Sequence, residues 1–301
     1  MKKIGVIGLG NISQKAYLPV MAEMNDRVEW HFYTRNQEKL AAICEKYHFE
    51  YHYSSLTALI ESGIEAAFVH TATPTHAEII ELLLNEGIHV YVDKPISEDI
   101  RETARLLQLA EAKNLILMTG FNRRFAPFYQ ELAAIPAKNM IIMEKNRVDT
   151  IKENQYAIYD DFIHVVDTMC YLLGGNLTHF SVHKKLEGEV VSQVMIQLHT
   201  ETTTGIAITN FKAGANREWV EVMTPSATYQ VENMVKMKTL TKDSEKINEF
   251  SDWTSTLEKR GFVSIIEAFV ESLATLESPI SIQETIVSHD ICHKIVQKES
   301  V

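Results

Sequence analysis

The stretch Lys3-Ile4-Gly5-Val6-Ile7-Gly8-Leu9-Gly10-Asn11-Ile12-Ser13 decides how the rest of the chain is read. An apolar, β-branched run ends at Gly8 and a helical pattern opens near Ile12, so the glycines fall in a strand-to-helix turn. In that setting Gly8 permits the tight turn, and Gly10 lets backbone amides approach a pyrophosphate. The helix beginning at Ile12 then aims its positive end at the anion, with Asn11 at its mouth. Ser13 fills the third small-residue position, as close packing of helix on strand requires. The plainer reading is an ordinary strand-turn-helix; the alternation of strands and helices downstream of it favours a dinucleotide cradle.

Up to residue 121, short β-branched runs alternate with longer helical patterns, the arrangement of βαβ crossovers and a parallel sheet. Strands are predicted at residues 3–7, 28–33, 66–70, 89–92 and 115–119, with a short one near 49–53. Helices are predicted from Ile12, Gln37, Leu56, His76 and Ile100, the last opened by Ser97. After Gly120 the texture changes. Helices are expected over 125–135 and 160–173, with a strand around 140–143. Strands are then expected at 180–185, 190–199, 205–211, 219–223, 228–231 and 235–240, spaced as an antiparallel meander. Helical patterns over 257–276 and 282–296 close the chain. The domain division is placed at 1–121 and 122–301.

Composition limits the function. The 301 residues hold 29 basic and 40 acidic side chains, a net charge of −11, which argues against a general nucleic-acid role and leaves any anionic ligand to local geometry. Cys44, Cys170 and Cys292 are far apart, odd in number and without metal-ligand spacing, so reduced thiols in a cytoplasm are expected and no metal is assigned. No apolar run is long enough to cross a bilayer.

The end of the second strand bears on the choice of nucleotide. An acid there would accept the ribose hydroxyls of NAD and repel a 2′-phosphate. Phe32-Tyr33-Thr34-Arg35-Asn36 has none, and Thr34 and Arg35 suit NADP better, with NAD as the alternative. Thr71, Thr73, Pro74 and His76, after the fourth strand, lie on the cofactor edge of the sheet, although His76 could equally cap its helix. Asp93-Lys94-Pro95 ends the fifth strand. Pro95 keeps Lys94 extended, and an ammonium beside a partly dry crevice is suited to acid/base work. Further on, Asp160, His164 and Asp167 stand at helical intervals of four and three. Read alone, Asp160 is a helix cap and His164 a core histidine satisfied by Asp167.

Together these residues resemble the Gfo/Idh/MocA oxidoreductases over essentially the whole chain. The motifs are Gly8-x-Gly10-x-x-Ser13, Thr73-Pro74-Thr75-His76, Val92-Asp93-Lys94-Pro95, Gly120-Phe121-Asn122-Arg123-Arg124-Phe125 and Asp160-x-x-x-His164-x-x-Asp167. Within the family they are most similar to the MviM-like branch. The resemblance implies an α/β protein with an N-terminal Rossmann doubly wound parallel sheet. It adds a C-terminal α/β domain whose large, mostly antiparallel open sheet commonly makes a homodimer or homotetramer interface. It also implies that Lys94, Asp160 and His164 are catalytic, handling the hydroxyl proton while hydride passes between the nicotinamide and a secondary alcohol or ketone of a sugar, inositol or similar polyol. His164 would be the immediate base, oriented by Asp160 or Asp167. Asp93 stands where the family usually has glutamate, beside Lys94 at the cofactor. Asn122, Arg123, Tyr156 and Asp161 are expected substrate contacts, with bracing of the domain junction as the alternative for Arg123 and Arg124, and Asp161 can replace Asp160 if the helix register differs. Two alternatives stay open: the resemblance also includes an NAD-dependent glycoside hydrolase that oxidises its sugar transiently, and a dinucleotide sensor without turnover is the other, against which the intact Lys94, Asp160 and His164 argue.

Overall fold

In the computed structural model, which describes residues 1–150 and 152–298, the β-branched and aromatic runs of the N-terminal part form a six-stranded parallel sheet. Its strands are β1 (Lys2–Ile7), β2 (Val28–Tyr33), β3 (Tyr51–Tyr53), β4 (Ala66–Val69), β5 (His89–Val92) and β6 (Leu117–Thr119), in the order β3-β2-β1-β4-β5-β6. β1 pairs with β2 on one side and β4 on the other, so the order reverses there and the strand ends open a crevice.

Helices α1 (Leu18–Glu23), α2 (Gln37–Tyr47), α3 (Leu56–Glu61), α4 (His76–Asn85) and α5 (Ile100–Ala112) form the crossovers. Leu83, Leu84, Leu106 and Leu107 from α4 and α5 bury against Val69, Val90 and Val92. The other face carries Tyr17, Phe68 and Tyr91, and Phe269 packs edge-on to Phe68 at 5.0 Å. Covering both faces is what lets the strands be apolar throughout. A π-helical turn, Ser13–Tyr17, precedes α1, next to Pro19, which has no N–H for the regular ladder. Asp99 caps α5, accepting from the Arg101 N–H at 2.8 Å; Ser97, the residue read as the opener, instead donates to Glu102. The Asp99 side chain stands next to the helix, where a cap must be.

Two compact units divide the chain: Met1–Gly120 with Phe262–Ile286, and Phe121–Gly261 with the residues from Val287 onward. The contiguous division 122–301 therefore omits a return of the chain. Gly261 marks the turn: at φ +76 it comes after α9 (Thr256–Lys259), and a Cβ there would collide with the Asn122 carbonyl and the Ala126 amide. The single helical pattern read over 257–276 is thus broken, and the helix Phe262–Thr275 belongs to the first unit.

In the second unit β7 (Met140–Asn146), β8 (Lys152–Glu153), β9 (His179–Glu187), β10 (Val190–His199), β11 (Thr204–Asn210), β12 (Arg217–Met223), β13 (Thr228–Glu232), β14 (Lys236–Leu240) and β15 (Glu245–Glu249) form one sheet. The order is β15-β14-β13-β12-β7-β11-β10-β8, with β9 also on β10. It is mostly antiparallel but not a simple meander, because β7 enters between β11 and β12 and runs parallel to β11. Residues alternate along β7, β11 and β12 between buried and half-buried, which gives the sheet one covered face. That face meets α6 (Pro127–Ala134) and a long helical segment made of α7 (Asn154–Tyr156), a π-helical stretch Ala157–Phe162 and α8 (Ile163–Leu173). Gly205 allows the approach, since a Cβ there would lie 2.6 Å from the Met169 sulfur. Among the described residues no helix is long and apolar enough to cross a membrane.

Candidate active site

At the switch point of the parallel sheet, the first unit holds a cavity of about 390 Å³ lined by Gly8, Leu9, Gly10, Tyr33, Thr34, Arg35, Lys39, His70 and Thr71, among others. Gly8 sits at φ +91 and donates to the Tyr33 carbonyl at 2.9 Å; an added Cβ would lie 2.8 Å from the Thr71 nitrogen. The protein therefore needs glycine at that position for its own turn. Gly10 differs. A Cβ there would meet nothing nearer than the His70 carbonyl at 3.8 Å, so the fold itself has room for a methyl group and the glycine keeps the cavity clear. The helix beyond opens with Gln14 N–H bonded to Gly10 O at 3.1 Å, and its first-turn amides, lacking intrahelical acceptors, face this end. Glycine turn, helix end and cavity fit a pyrophosphate.

Arg35 and Lys39 bring two cations to the end of β2, where residues 33–37 include no acid, while Glu78 of α4 is the carboxylate in the same lining. Asn36 caps α2 by accepting from the Lys39 N–H at 2.9 Å, which fixes Lys39 one turn into the helix and beside the cavity. Sequence reasoning missed Lys39, although its spacing from the Asn36 cap was the available signal. It also missed His70, 3% exposed, with neither ring nitrogen hydrogen-bonded among the described residues. Burial, with the nearby His76, pushes its pKa down to about 3, and the neutral ring packs at a tilt of 39° on Tyr17, centroids 4.0 Å apart.

Of the other residues assigned to the cofactor, Asn11 and Ile12 are exposed at the helix start, and Thr73 and Pro74 form a 3-10 turn outside the cavity lining. His76 neither caps its helix nor lines the cavity. Its buried ring lies 2.8 Å from Pro95 O through Nδ1 and 3.0 Å from Thr71 O through Nε2, and so ties the segment after Lys94 to the loop after β4. The Lys94–Pro95 peptide bond is cis. Asp93 Oδ1 accepts from the Tyr17 hydroxyl at 3.0 Å, and the Tyr91 hydroxyl lies 2.8 Å from that of Tyr17. One hydroxyl has one proton, so Tyr91 donates to Tyr17 and Tyr17 to Asp93. Burial first, and then the proximity of Tyr91 and Asp93, holds the Tyr17 phenol well above its ordinary range, which keeps it a donor. Gly120 leaves room for the pair: a Cβ there would lie 2.8 Å from the Tyr91 oxygen.

In the second unit His164 is half-buried on the first turn of α8. Asp160 is not a helix cap, because the helical backbone already runs from Asn154 and Asp160 lies inside the π-helical stretch. Its Oδ2 accepts from Lys152 Nζ at 2.7 Å. Asp161 is held by Lys145, Arg147 and Lys152; burial opposes ionisation, but these three cations keep its carboxyl below the ordinary range. Asp167 is a structural anchor, bound by Arg124 and by Ser288 Oγ at 3.0 Å. Arg123 pairs through both nitrogens with Glu218 at 2.7 Å, and Asn122 donates to Arg260 O at 2.8 Å. Tyr156 is exposed, its ring 4.8 Å from Lys152 Nζ.

Residues 2–121 match the model of an oxidoreductase family with an NAD-binding Rossmann fold, and residues 127–242 match that of a YceM-like C-terminal domain. A putative oxidoreductase, YceM, of Salmonella typhimurium is 34% identical over 282 residues, covering 92% of this chain and 91% of that protein. The chain belongs to the Gfo/Idh/MocA oxidoreductase family. As a Gfo/Idh/MocA protein it is an oxidoreductase that binds a nicotinamide dinucleotide. A crystal structure of a dehydrogenase (MviM) from Clostridium difficile superposes with a TM-score of 0.92 at 29% identity, covering 98% of each chain, in keeping with the MviM-like branch. A myo-inositol 2-dehydrogenase of Thermotoga maritima is 25% identical over 225 residues, 71% of this chain and 66% of that one.

Proposed function

We propose that the protein transfers hydride between NADP(H) and a secondary alcohol or ketone of a polyol or sugar. The observation that carries the nucleotide choice is the end of β2, where Arg35 and Lys39 line the cavity and the strand end itself, Tyr33 to Asn36, supplies no acid; the carboxylate in the lining, Glu78, comes from α4. The likeness to an inositol dehydrogenase supports the polyol. Bound at the glycine turn, the nicotinamide supplies or accepts the hydride.

The chain's own residues do the rest. Gly8 and Gly10 shape the phosphate turn, and Arg35 with Lys39 binds the 2′-phosphate. Lys94 polarises the substrate oxygen and relays the proton that His164 takes or returns, aimed by Asp93 and by the His76 tie to Pro95. His164 acts as base in the oxidation direction, and Asp160, itself paired to Lys152, sets the local charge. Self-association would use the open face of the second sheet, where Ile142, Met195, Ile206, Ile208 and Trp219 remain partly exposed.

A thermal-shift comparison of NADPH, NADP, NADH and NAD tests the reading, since a ligand bound only by the folded state raises the melting temperature. The phosphorylated pair should shift it most. Lys94→Ala should keep that shift and lose turnover on a polyol panel; full activity in the variant would remove Lys94 from the chemistry.

A further inference from the structure

Five cations meet three carboxylates in one part of the second unit. Lys145 and Arg147 lie two residues apart on one face of β7 and its exit, Lys152 comes from β8, Arg123 precedes α6, and Arg260 comes just after α9. The carboxylates are Asp160, Asp161 and Glu218, the last directly opposite Lys145 in the β12–β7 register. Three cations use all three acids. Arg123 takes Glu218 through two bonds of 2.7 Å, Lys145 takes Asp161 at 3.2 Å with its carbonyl at 2.9 Å, and Lys152 bridges Asp160 and Asp161 at 2.7 and 2.8 Å. Arg147 keeps only a 3.4 Å contact to the Asp161 oxygen that Lys145 already holds, with its side chain 34% exposed. The Arg260 guanidinium is partly buried and has no hydrogen-bond or ion-pair partner among the described residues.

Five cations against three carboxylates leave a formal surplus of two positive charges, complete below about pH 7 where Lys145 is protonated, in a chain whose net charge is −11. The Arg147 charge acts on that of Arg260, so the two lie in one neighbourhood, and as planar donors with no acceptor function they suit a shared oxyanion better than the single 3.4 Å contact Arg147 makes to Asp161. We infer that the substrate carries such a group, a phosphoryl or a carboxylate, and that Arg147 and Arg260 receive it. This rests on the oxidoreductase reading above and narrows its substrate from neutral polyols to anionic ones. The cations feel one another: burial and then Arg123 lower the Arg260 pKa, and burial with Arg123 brings Lys145 down to about 7. An anion at Arg147 and Arg260 relieves that repulsion.

Inorganic phosphate is the probe, titrated calorimetrically into the full chain against chloride at equal ionic strength. The dinucleotide cavity also invites phosphate, so variants assign the site. Arg147→Gln combined with Arg260→Gln should weaken phosphate binding about tenfold or more while leaving NADPH affinity unchanged. Arg147→Gln alone, at a part-exposed position, should show a smaller loss and serves if the double variant does not fold. Unchanged phosphate affinity in Arg147→Gln and in any folded double variant would overturn the proposal. Turnover then identifies the source of the anion, with phosphorylated polyols and sugar acids compared with their neutral parents. Equal kcat/KM for a neutral parent would overturn the anionic substrate and leave the oxidoreductase reading intact. Failure to bind any nicotinamide nucleotide would instead remove that reading, with phosphate binding still measurable.

Discussion

The Tyr17 hydroxyl donates to Asp93 Oδ1 across 3.0 Å, with the Tyr91 hydroxyl 2.8 Å behind it. A buried phenol pair thus fixes the carboxylate next to Lys94, in a chain whose aspartate is shorter than the family's usual glutamate. Tyr17→Phe removes a bond to a charged acceptor and leaves the Tyr91 hydroxyl without its acceptor, a loss of about 1–3 kcal/mol. Turnover should fall roughly tenfold with NADPH affinity within about twofold of the parent. Tyr91→Phe should do less, and equal kcat in both variants would show that the pair does not aim Asp93.

The two glycines of the turn should separate folding from binding. Gly8→Ala forces a side chain into a left-handed backbone and against Thr71 N at 2.8 Å, so a lowered melting temperature is expected, by a free energy of about 1–3 kcal/mol. Gly10→Val should melt near the parent and lose the nucleotide-induced shift. Retained NADPH binding in Gly10→Val would mean that the cavity is not where the pyrophosphate lies.

Arg35 and Lys39 should act on one nucleotide and spare the other. Replacing Arg35 by Ala removes a charge-assisted contact to the 2′-phosphate, and NADPH affinity should drop about tenfold or more while NADH affinity barely moves. Parallel losses for both nucleotides would place Arg35 against the adenine instead.

Glu218 predicts an acid limb of stability. Burial opposes its ionisation, but Arg123, through charge and hydrogen bonds and helped by Lys145 and Arg260, holds the carboxyl at about 2, below the ordinary 4.5. Its contribution is complete above about pH 4.5 and is lost as pH falls towards 2, because the unfolded chain binds the proton first. Glu218→Gln breaks a buried pair, should cost about 3–5 kcal/mol, and should flatten denaturation curves across that window. Lys145 has the opposite sign. With its pKa lowered from 10.5 to about 7, its unfavourable contribution fades as pH rises through that interval, so Lys145→Met should weaken the gain in stability there.

Much of the first unit was legible in sequence because each βα step is local: β2, α2, α3, α4, β5 and α5 start at the expected residues, and glycines at 8 and 10 mark the turn. The amino-acid order alone determined a parallel sheet with a phosphate turn, and an apolar alternation that had to become a sheet with one covered face. It could not determine that residues 262–286 rejoin the first unit or that β7 inserts beside β11, because those pairings join residues far apart in the chain. Nor could it separate Asp160 from a helix cap, since a π-helical stretch shifts the register on which the spacing argument depends. Arg147, Arg260 and Glu218 carried no sequence signal at all. Lone charges in strands and loops look solvated until the fold sets Glu218 opposite Lys145 and leaves Arg260 partly buried near Glu218 but, among the described residues, without a hydrogen-bonded carboxylate. Local periodicity sets elements, but only tertiary contact decides which charges lose water together and which remain to bind something else.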